Sequence, residues 1–465
     1  MSLRLNTHGL SVDELLERTA PEANLAMLRA NTEPSRFQID LVYWASTLLD
    51  AELESLPLDD FPTRAKILAQ LDINQSIVAP IRRLPVELLS YIFSLAAHES
   101  PLCTLNLAVT FSRVCVYWRK VAREHAALWT TVVVETSNDF DGYCELFLPL
   151  TKDLPLDLRC DDCDILQDLW DRIAPYASRW RRITLGARLC TLPDLKVLYM
   201  ERLERLIIFA YGAAFSPELS VLDFVVAPRL LHIGLTLDVL QKGRQLHIPV
   251  TRAITSLVIE ATEPFPATRV LHLLQECAKT LQFLTLKIRH PWEWPEGFYL
   301  ASASDMFSMT ALTELRVNDS ACALLNHITA PLIKELVLSN VPAYGSRTLL
   351  GFLTRNQSSR HLMDFRVYQT KERDVSAWIP CLELMPSVKD LHFDELLSNA
   401  DFLKLMIRHA DKAPILPSLK MIAISRIYAQ HRELRPLIYE MCKSRSTMTT
   451  YRGKSAVLVL GWIED

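Results

Sequence analysis

Glycine is scarce in this chain: among 465 residues, 11 Gly stand against 25 Pro. Turns that cradle phosphates or dinucleotides need glycine for positive φ and close backbone approach, so the scarcity argues against a nucleotide-dependent enzyme. An excess of one charge is missing too. With 50 basic and 54 acidic side chains the formal net charge is −4, which offers nucleic acid or an anionic membrane no global electrostatic footprint. No stretch reaches the about 18 uninterrupted apolar residues that a membrane helix needs, and Met1 to Leu10 lacks the apolar core of a secretory signal. The ten Cys are scattered without even spacing, as expected of reduced thiols rather than a disulfide framework. These absences predict a soluble protein of the cytoplasm or nucleus.

Leucine is what the chain has in abundance: 78 residues, or one in about six. At 50% apolar and 22% charged, the chain can bury a large core. Its length alone suggests roughly three domains. A repeat array would instead spread one continuous core along most of it.

Residues 1–80 read as a helical segment. Ile39, Val42, Ala45, Leu48 and Leu49 recur at helical spacing, as do Ile67, Leu68, Leu71 and Ile77. Pro57 and Pro62 cannot both lie inside one helix, so two helices are expected. Packing on the next domain is the plain reading of their apolar faces; a coiled-coil partner face is the sharper one, although no heptad persists for three or four repeats.

Residues 81–130 form a denser helical module. Leu84-Pro85-Val86-Glu87-Leu88-Leu89 places Pro where its missing N–H is harmless and Glu87 in the first turn, where the helix dipole favours an anion. Leu88, Leu89, Ile92 and Phe93 follow at the spacing of one stripe. A second helix carries Val114, Trp118, Val121, Ala122 and His125, with Cys115 at its start, and Leu128-Trp129 closes the unit. So small a module cannot bury all of these side chains alone. Either the rest of the chain covers the surplus or a partner does.

The run Leu84-Pro85-x-Glu87-Leu88-Leu89-x-x-Ile92-Phe93, then Val114-Cys115-x-x-Trp118-Arg119-x-Val121-Ala122 and Leu128-Trp129, resembles an F-box, and is especially similar to the F-box proteins of mushroom-forming fungi. Phe93 and Val114 stand 21 positions apart, several more than in a typical F-box, with the insertion at roughly His98 to Asn106. The resemblance implies a bundle of short helices that docks on a Skp-type adaptor and, through it, a cullin ubiquitin ligase. It implies adaptor contacts from Leu84, Pro85, Leu88, Leu89, Ile92, Phe93, Val114, Cys115 and Trp118.

From residue 131 to 465 one pattern keeps returning: apolar, two others, apolar, one other, apolar. Trp180-x-x-Ile183-x-Leu185, Leu203-x-x-Leu206-x-Ile208, Leu281-x-x-Leu284-x-Leu286 and Leu312-x-x-Leu315-x-Val317 are clear cases; Leu156-x-Leu158 and Leu231-x-Ile233 are weaker. From Val132 to Ile422 the middle position recurs every about 26 residues, a leucine-rich-repeat period. Alternate residues of a short strand point to one side, so each repeat offers apolar side chains that only a neighbouring repeat covers. Helix-like pieces such as Thr268 to Lys279, with Val270, Leu271, Leu274 and Cys277 on one face, lie between. The asparagine of the leucine-rich-repeat pattern is missing, with Tyr211, Thr262, Arg289, Ser320 and Val341 in its place. Val457 to Leu460 reads as a terminal strand in a cap. The expected fold class is α/β, a leucine-rich-repeat-like solenoid preceded by a small all-helical F-box module; an ordinary α/β domain is the plainer alternative.

Motifs of chemistry are weak. Gly453-Lys454-Ser455 imitates the end of a phosphate loop, but Met448 stands where the first Gly belongs. Cys160-Asp161-Asp162-Cys163 is a lone Cys-x-x-Cys without a second pair at zinc spacing. Arg179-Trp180-Arg181-Arg182 mixes basic and aromatic character as a nucleic-acid contact does, yet its place ahead of a strand makes Trp180 a core residue. No catalytic residue, metal or cofactor is therefore expected. The expected function is that of a non-enzymatic substrate receptor of a ubiquitin ligase, with a protein target on the concave face of the array and Arg316, Arg366, Tyr368 and His392 as candidate anchors. Neither nucleic acid nor membrane is an expected partner. The alternative is a scaffold protein in which the F-box-like helices serve only as an N-terminal cap.

Overall fold

The structure is a computed structural model. It describes residues 12–19, 34–99, 104–188, 192, 195–211, 219–220, 225–237, 246–247, 254–261, 270–288, 306–356, 360–372, 374–393, 400–409, 414–425, 434–446 and 459–463. The chain divides into two units, one of residues 1–133 and 138–156, the other of residues 134–137 and 157–465.

The first unit is helical. It contains α1 (Val12–Thr19), α2 (Arg36–Ser55), α3 (Phe61–Val78), α4 (Val86–Glu99), α5 (Thr104–Val114) and α6 (Val116–Glu124), and nearly all of α7 (Ser137–Leu146). At the start of α2 the Ser35 hydroxyl accepts from the Gln38 N–H at 3.3 Å, while Gln38 Oε1 accepts from the Ser35 N–H at 2.9 Å, a reciprocal cap that satisfies two orphan donors. Asp60 caps α3 by accepting from the Thr63 N–H, and Pro62 lies in its first turn. Val42, Ala45 and Leu49 of α2 and Ile67, Leu71, Ile77 and Val78 of α3 are buried. Leu68, expected on the same face, is 48% exposed, because one residue turns the helix by about 100°. Between the two apolar clusters Asn74 is fully buried: its Nδ2 donates to Ser46 Oγ and its Oδ1 accepts from Gln70 Nε2, each at 3.0 Å. A satisfied buried amide fixes the register of a helix pair.

Thirteen strands among the described residues make the sheet, in an order that follows the chain. They are β1 (Thr131–Val134), β2 (Leu156–Cys160), β3 (Trp180–Arg188), β4 (Arg205–Tyr211), β5 (His232–Leu237), β6 (Ser256–Ala261), β7 (Phe283–Ile288), β8 (Glu314–Asp319), β9 (Glu335–Val341), β10 (Asp364–Thr370), β11 (Asp390–Phe393), β12 (Met421–Ser425) and β13 (Val459–Ile463). From β3 to β13 each adjacent pair is parallel.

The recurring apolar positions fall in register. One inner row runs from Ile183 through Leu206, Ile233, Leu257, Leu284 and Leu315, then on through Leu336, Phe365 and Leu391 to Ile422. Each is at most 1% exposed. A second row runs beside it from Leu185 through Ile208 and Leu235 to Val317 and Val367. Here the weak member resolves: Ile233 holds the middle position and Leu235 the last, with buried Leu230 as the first. Just ahead of the strands a chain of backbone bonds of 2.7–2.9 Å links Arg181, Glu204, Leu231, Thr255, Gln282, Thr313, Lys334, Met363, Lys389 and Lys420 in turn.

Helices join several strands. In the helix Leu271–Cys277 the buried residues are Leu273, Leu274 and Cys277; Leu271, expected on that face, is half-exposed. At the position after the strand, Ser320 is buried and donates to the Ile288 carbonyl at 3.1 Å, a tie from side chain to neighbouring backbone. Thr262 and Arg289 lie outside the described residues, as does Val457-Leu458. Gly186 permits a close approach: a Cβ there would sit 2.2 Å from the Asp161 carbonyl oxygen. No helix among the described residues is long and apolar enough to cross a membrane.

At the start of the sheet Asp157, buried, takes hydrogen bonds from Arg181 at 2.9 and 3.2 Å and from Arg182 at 2.5 Å. Burial pushes its carboxyl up, but the Arg182 and Arg181 bonds outweigh it and hold the group below its ordinary value. The resulting stabilisation is present above the ordinary carboxylate range, about pH 4, and is lost as pH falls through the lowered value. Asp157→Asn is expected to flatten the loss of thermal midpoint between about pH 5 and pH 3; an unchanged slope refutes this. Leu284→Ala should cost about 2–5 kcal/mol in urea unfolding, whereas Leu68→Ala, at an exposed site, should stay within about 0.5 kcal/mol.

Candidate functional site

Helix α4 carries two apolar stripes. Leu89, Phe93 and Ala97, four residues apart, face inward with Ala108, Val121, Ala122, Leu128 and Trp129. Leu88, Tyr91, Ile92 and Leu95 are 51%, 61%, 40% and 46% exposed. They stand at i, i+3, i+4 and i+7, so they share one outward face. Val86 at its start, Ile81 before it, and Val114 and Val116 at the α5–α6 junction are exposed as well. A small module gains nothing by showing so many large apolar side chains to water.

An aromatic set holds this arrangement. Phe93 stacks on Phe111 with centroids 4.4 Å apart and meets Trp118 edge-on at 5.0 Å. Trp129 donates to the Ala122 carbonyl at 2.7 Å, stacks on Phe147 at 5.1 Å, and accepts at its own carbonyl from the Tyr143 hydroxyl. The Leu-Pro start is tied down by the Tyr117 hydroxyl, which donates to the Leu84 carbonyl at 3.4 Å. At the far end Ser94 Oγ bonds His125 Nε2 at 2.8 Å, and burial holds the imidazole below its ordinary pKa.

The nine residues singled out from sequence therefore divide. Pro85, Leu88, Ile92 and Val114 are exposed, Leu84 and Trp118 half-buried, and Leu89 and Phe93 fully buried in the module's own core. Cys115 is the N-cap of α6, its sulfur accepting from the Trp118 N–H at 3.4 Å. Tyr91, Leu95 and Val116 were missed, although Tyr91 and Leu95 follow Leu88 at i+3 and i+7. Of the insertion, His98 and Glu99 end α4 and Thr104 to Asn106 open α5; residues 100–103 lie outside the described residues.

A second candidate surface is the face of the sheet opposite the inner rows. Arg316, Val337, Arg366 and His392 are successive register partners on β8, β9, β10 and β11. Tyr368 packs on His392 with ring centroids 4.4 Å apart. The register thus gathers all four candidate anchors from a stretch of more than 70 residues. Two positions before each row member stand Glu314, Glu335, Asp364 and Asp390, also register partners. Arg316 lies 2.8 Å from Glu335 and 3.8 Å from Glu314, and Arg366 is paired with Asp364 through Nε at 2.9 Å and through Nη2. Burial and the neighbouring Glu335 push the Glu314 carboxyl up; burial and Asp364 do the same to Asp390.

The two cysteines of the Cys-x-x-Cys differ in burial, Cys160 being buried and Cys163 half-exposed. Cys160 is buried, donates to the Asp162 carbonyl at 3.3 Å, and has its thiol pushed up to about 11 by burial. Among the described residues the ligand atoms of Asp162, Cys163 and Asp164 lie within 4.8 Å of one another, and Arg188 pairs with Asp164 at 2.5 Å. Trp180 is fully buried and donates to the Ile173 carbonyl at 3.1 Å. Gly453-Lys454-Ser455 lies outside the described residues.

Residues 81–135 match the F-box-like family, and the chain thus contains an F-box-like region that begins 80 residues in. No curated protein matches the chain.

Burial pushes the thiols of Cys277, Cys322 and Cys381 up to about 12. At pH 8 they and Cys160 are protonated and shielded, so iodoacetamide should label half-exposed Cys163 and spare these four until denaturant is added. Equal labelling rates for Cys163 and Cys160, followed by mass spectrometry, would contradict this packing.

Proposed function

We propose that this protein is a substrate receptor of a Skp–cullin–F-box type ubiquitin ligase. The observation that carries the reading is the outward stripe of Leu88, Tyr91, Ile92 and Leu95, which lies within the F-box-like residues 81–135. The exposed side chains contact the Skp-type adaptor, and Leu89, Phe93 and Trp118 hold the helix that presents them. Residues 131–465 form an irregular leucine-rich-repeat-like solenoid of the kind that follows F-boxes in mushroom-forming fungi. The period of about 26 residues and the unbroken parallel register support that reading. The target lies on the face that carries Arg316, Arg366, Tyr368 and His392. The chain performs no chemistry itself: it raises the local concentration of a target near a ubiquitin-charged enzyme held by other subunits. The eight cysteines among the described residues, none of them in a disulfide, suit a reducing cytoplasm or nucleus.

Co-expression with a Skp-type adaptor tests this directly. The wild-type chain should co-purify with the adaptor in equal amount. Leu88→Asp together with Ile92→Asp should abolish capture, since anchor residues at an interface cost about 2 kcal/mol or more each, and should leave the thermal transition in place. Phe93→Ala should instead unfold the module, at about 3–5 kcal/mol. A stable monomer that ignores the adaptor would favour the scaffold reading. Ubiquitin transfer by the isolated chain, incubated with a charged conjugating enzyme, would refute the non-catalytic role.

A further inference from the structure

The F-box-like module shows eight large apolar side chains to water. Leu88, Tyr91, Ile92 and Leu95 run along α4, Ile81 and Val86 stand at its near end, and Val114 and Val116 flank the α5–α6 junction. The Tyr117 hydroxyl, bonded to the Leu84 carbonyl, brings that junction alongside the start of α4. From their fractional exposure the eight offer about 750 Å², above the about 300–600 Å² of the largest apolar patch on a typical monomer. Two such faces closed on each other would remove about 1,500 Å² from water, the size of a stable protein–protein interface.

The stripe is also complementary to itself. Its steps along α4 are three, one and three residues, a spacing that reads the same in both directions. An antiparallel pair of such helices about a two-fold axis sets Leu88 of one copy against Leu95 of the other, and Tyr91 against Ile92; a two-fold interface uses the same patch on both sides. Near such an axis a charged side chain meets its own image. From Leu88 to Ala97 there is no charged residue, so nothing on this stretch of α4 repels a copy. The flank of the stripe is satisfied within the chain: the Ser94 hydroxyl donates to the Ser90 carbonyl at 3.0 Å, and its oxygen bonds His125 Nε2.

We propose that, without an adaptor, the outward face of α4 pairs antiparallel with the same face of a second copy, so that self-association and adaptor docking exclude each other. The proposal rests on the receptor reading above and supplies a regulation of its docking site. Tyr91, the most exposed of the four, lays its ring on the opposing Ile92 and keeps its hydroxyl at the wet rim.

Sedimentation of the full-length chain at about 50 μM tests this, because interfaces of this size hold at micromolar concentration or below. The wild-type chain should sediment as a dimer. Leu88→Lys or Leu95→Glu alone should weaken dimerisation at least tenfold, and the two together should restore it, since the two-fold axis places these positions opposite each other. Thermal transitions should stay in place, both sites being exposed; if either single variant loses its transition, Tyr91→Lys, beside the axis, should separate the copies in its stead. A purified Skp-type adaptor in excess should convert dimers into complexes of one chain and one adaptor. A monomeric wild type overturns the proposal, and so does a dimer that the single substitutions leave intact, a double variant that stays monomeric, or an adaptor complex that retains two copies of the chain. The two levels separate in the same samples: adaptor capture by a chain that is always monomeric sinks this inference alone, whereas a dimer that responds to the substitutions but captures no adaptor leaves the pairing and sinks the receptor reading.

Discussion

Each strand of the second unit has an inner face that it cannot cover by itself. A strand of four to nine residues offers a few apolar side chains, and what lies on either side of them is the matching set from the strands before and after. In-register parallel stacking is therefore the constraint from which the rest follows. It demands one apolar residue at each recurring position, which is why Ile183, Leu257 and Phe365 are interchangeable in kind. It also leaves the opposite face free of packing duty. That face can vary in charge and size without cost to the inner rows, and it does so from Ile207 and Gly234 upstream to Arg366 and His392 downstream.

The helical unit solves a different problem. Helix α4 has apolar side chains on both sides, and a lone amphipathic helix would turn either side inward. Phe111, Trp118 and Trp129 decide the matter, because only Phe93 and Leu89 can nest among them. The outward orientation of Leu88 and Ile92 is thus imposed from the core side. Cys115 takes part by capping α6 and so placing Trp118. The buried Asn74 has a comparable role for α2 and α3: its amide has partners only when Ser46 lies opposite.

Much of this was legible in the residue order. Periodicity located the strand middles, and Pro57 and Pro62 separated α2 from α3. The Leu-Pro start located α4. Spacing did not reveal which of two apolar stripes faces water, since Leu88 and Leu89 are alike in type and one residue apart. It missed the true offset at Leu230, Ile233 and Leu235, where adjacent Leu230 and Leu231 each fit part of the pattern. The acidic row was invisible for another reason. Glu314, Glu335, Asp364 and Asp390 are separated by 21 to 29 positions, and only the pairing register shows that they are neighbours. Arg316, Arg366, Tyr368 and His392 were chosen singly, and register alone makes them one patch.

The order of strands in the sheet repeats the order of strands in the chain, and this turns the sheet into a ruler of the sequence. From β3 to β13 the paired residues stand 21 to 38 positions apart, so closing a strand pair costs little chain entropy even in a sheet of thirteen strands. Folding can start at any adjacent pair and spread to both sides. Insertion or removal of one strand with its connecting segment would lengthen or shorten the outer face by a single strand spacing and leave the flanking rows in register. The width of that face can therefore change by genetic steps that never disturb the core.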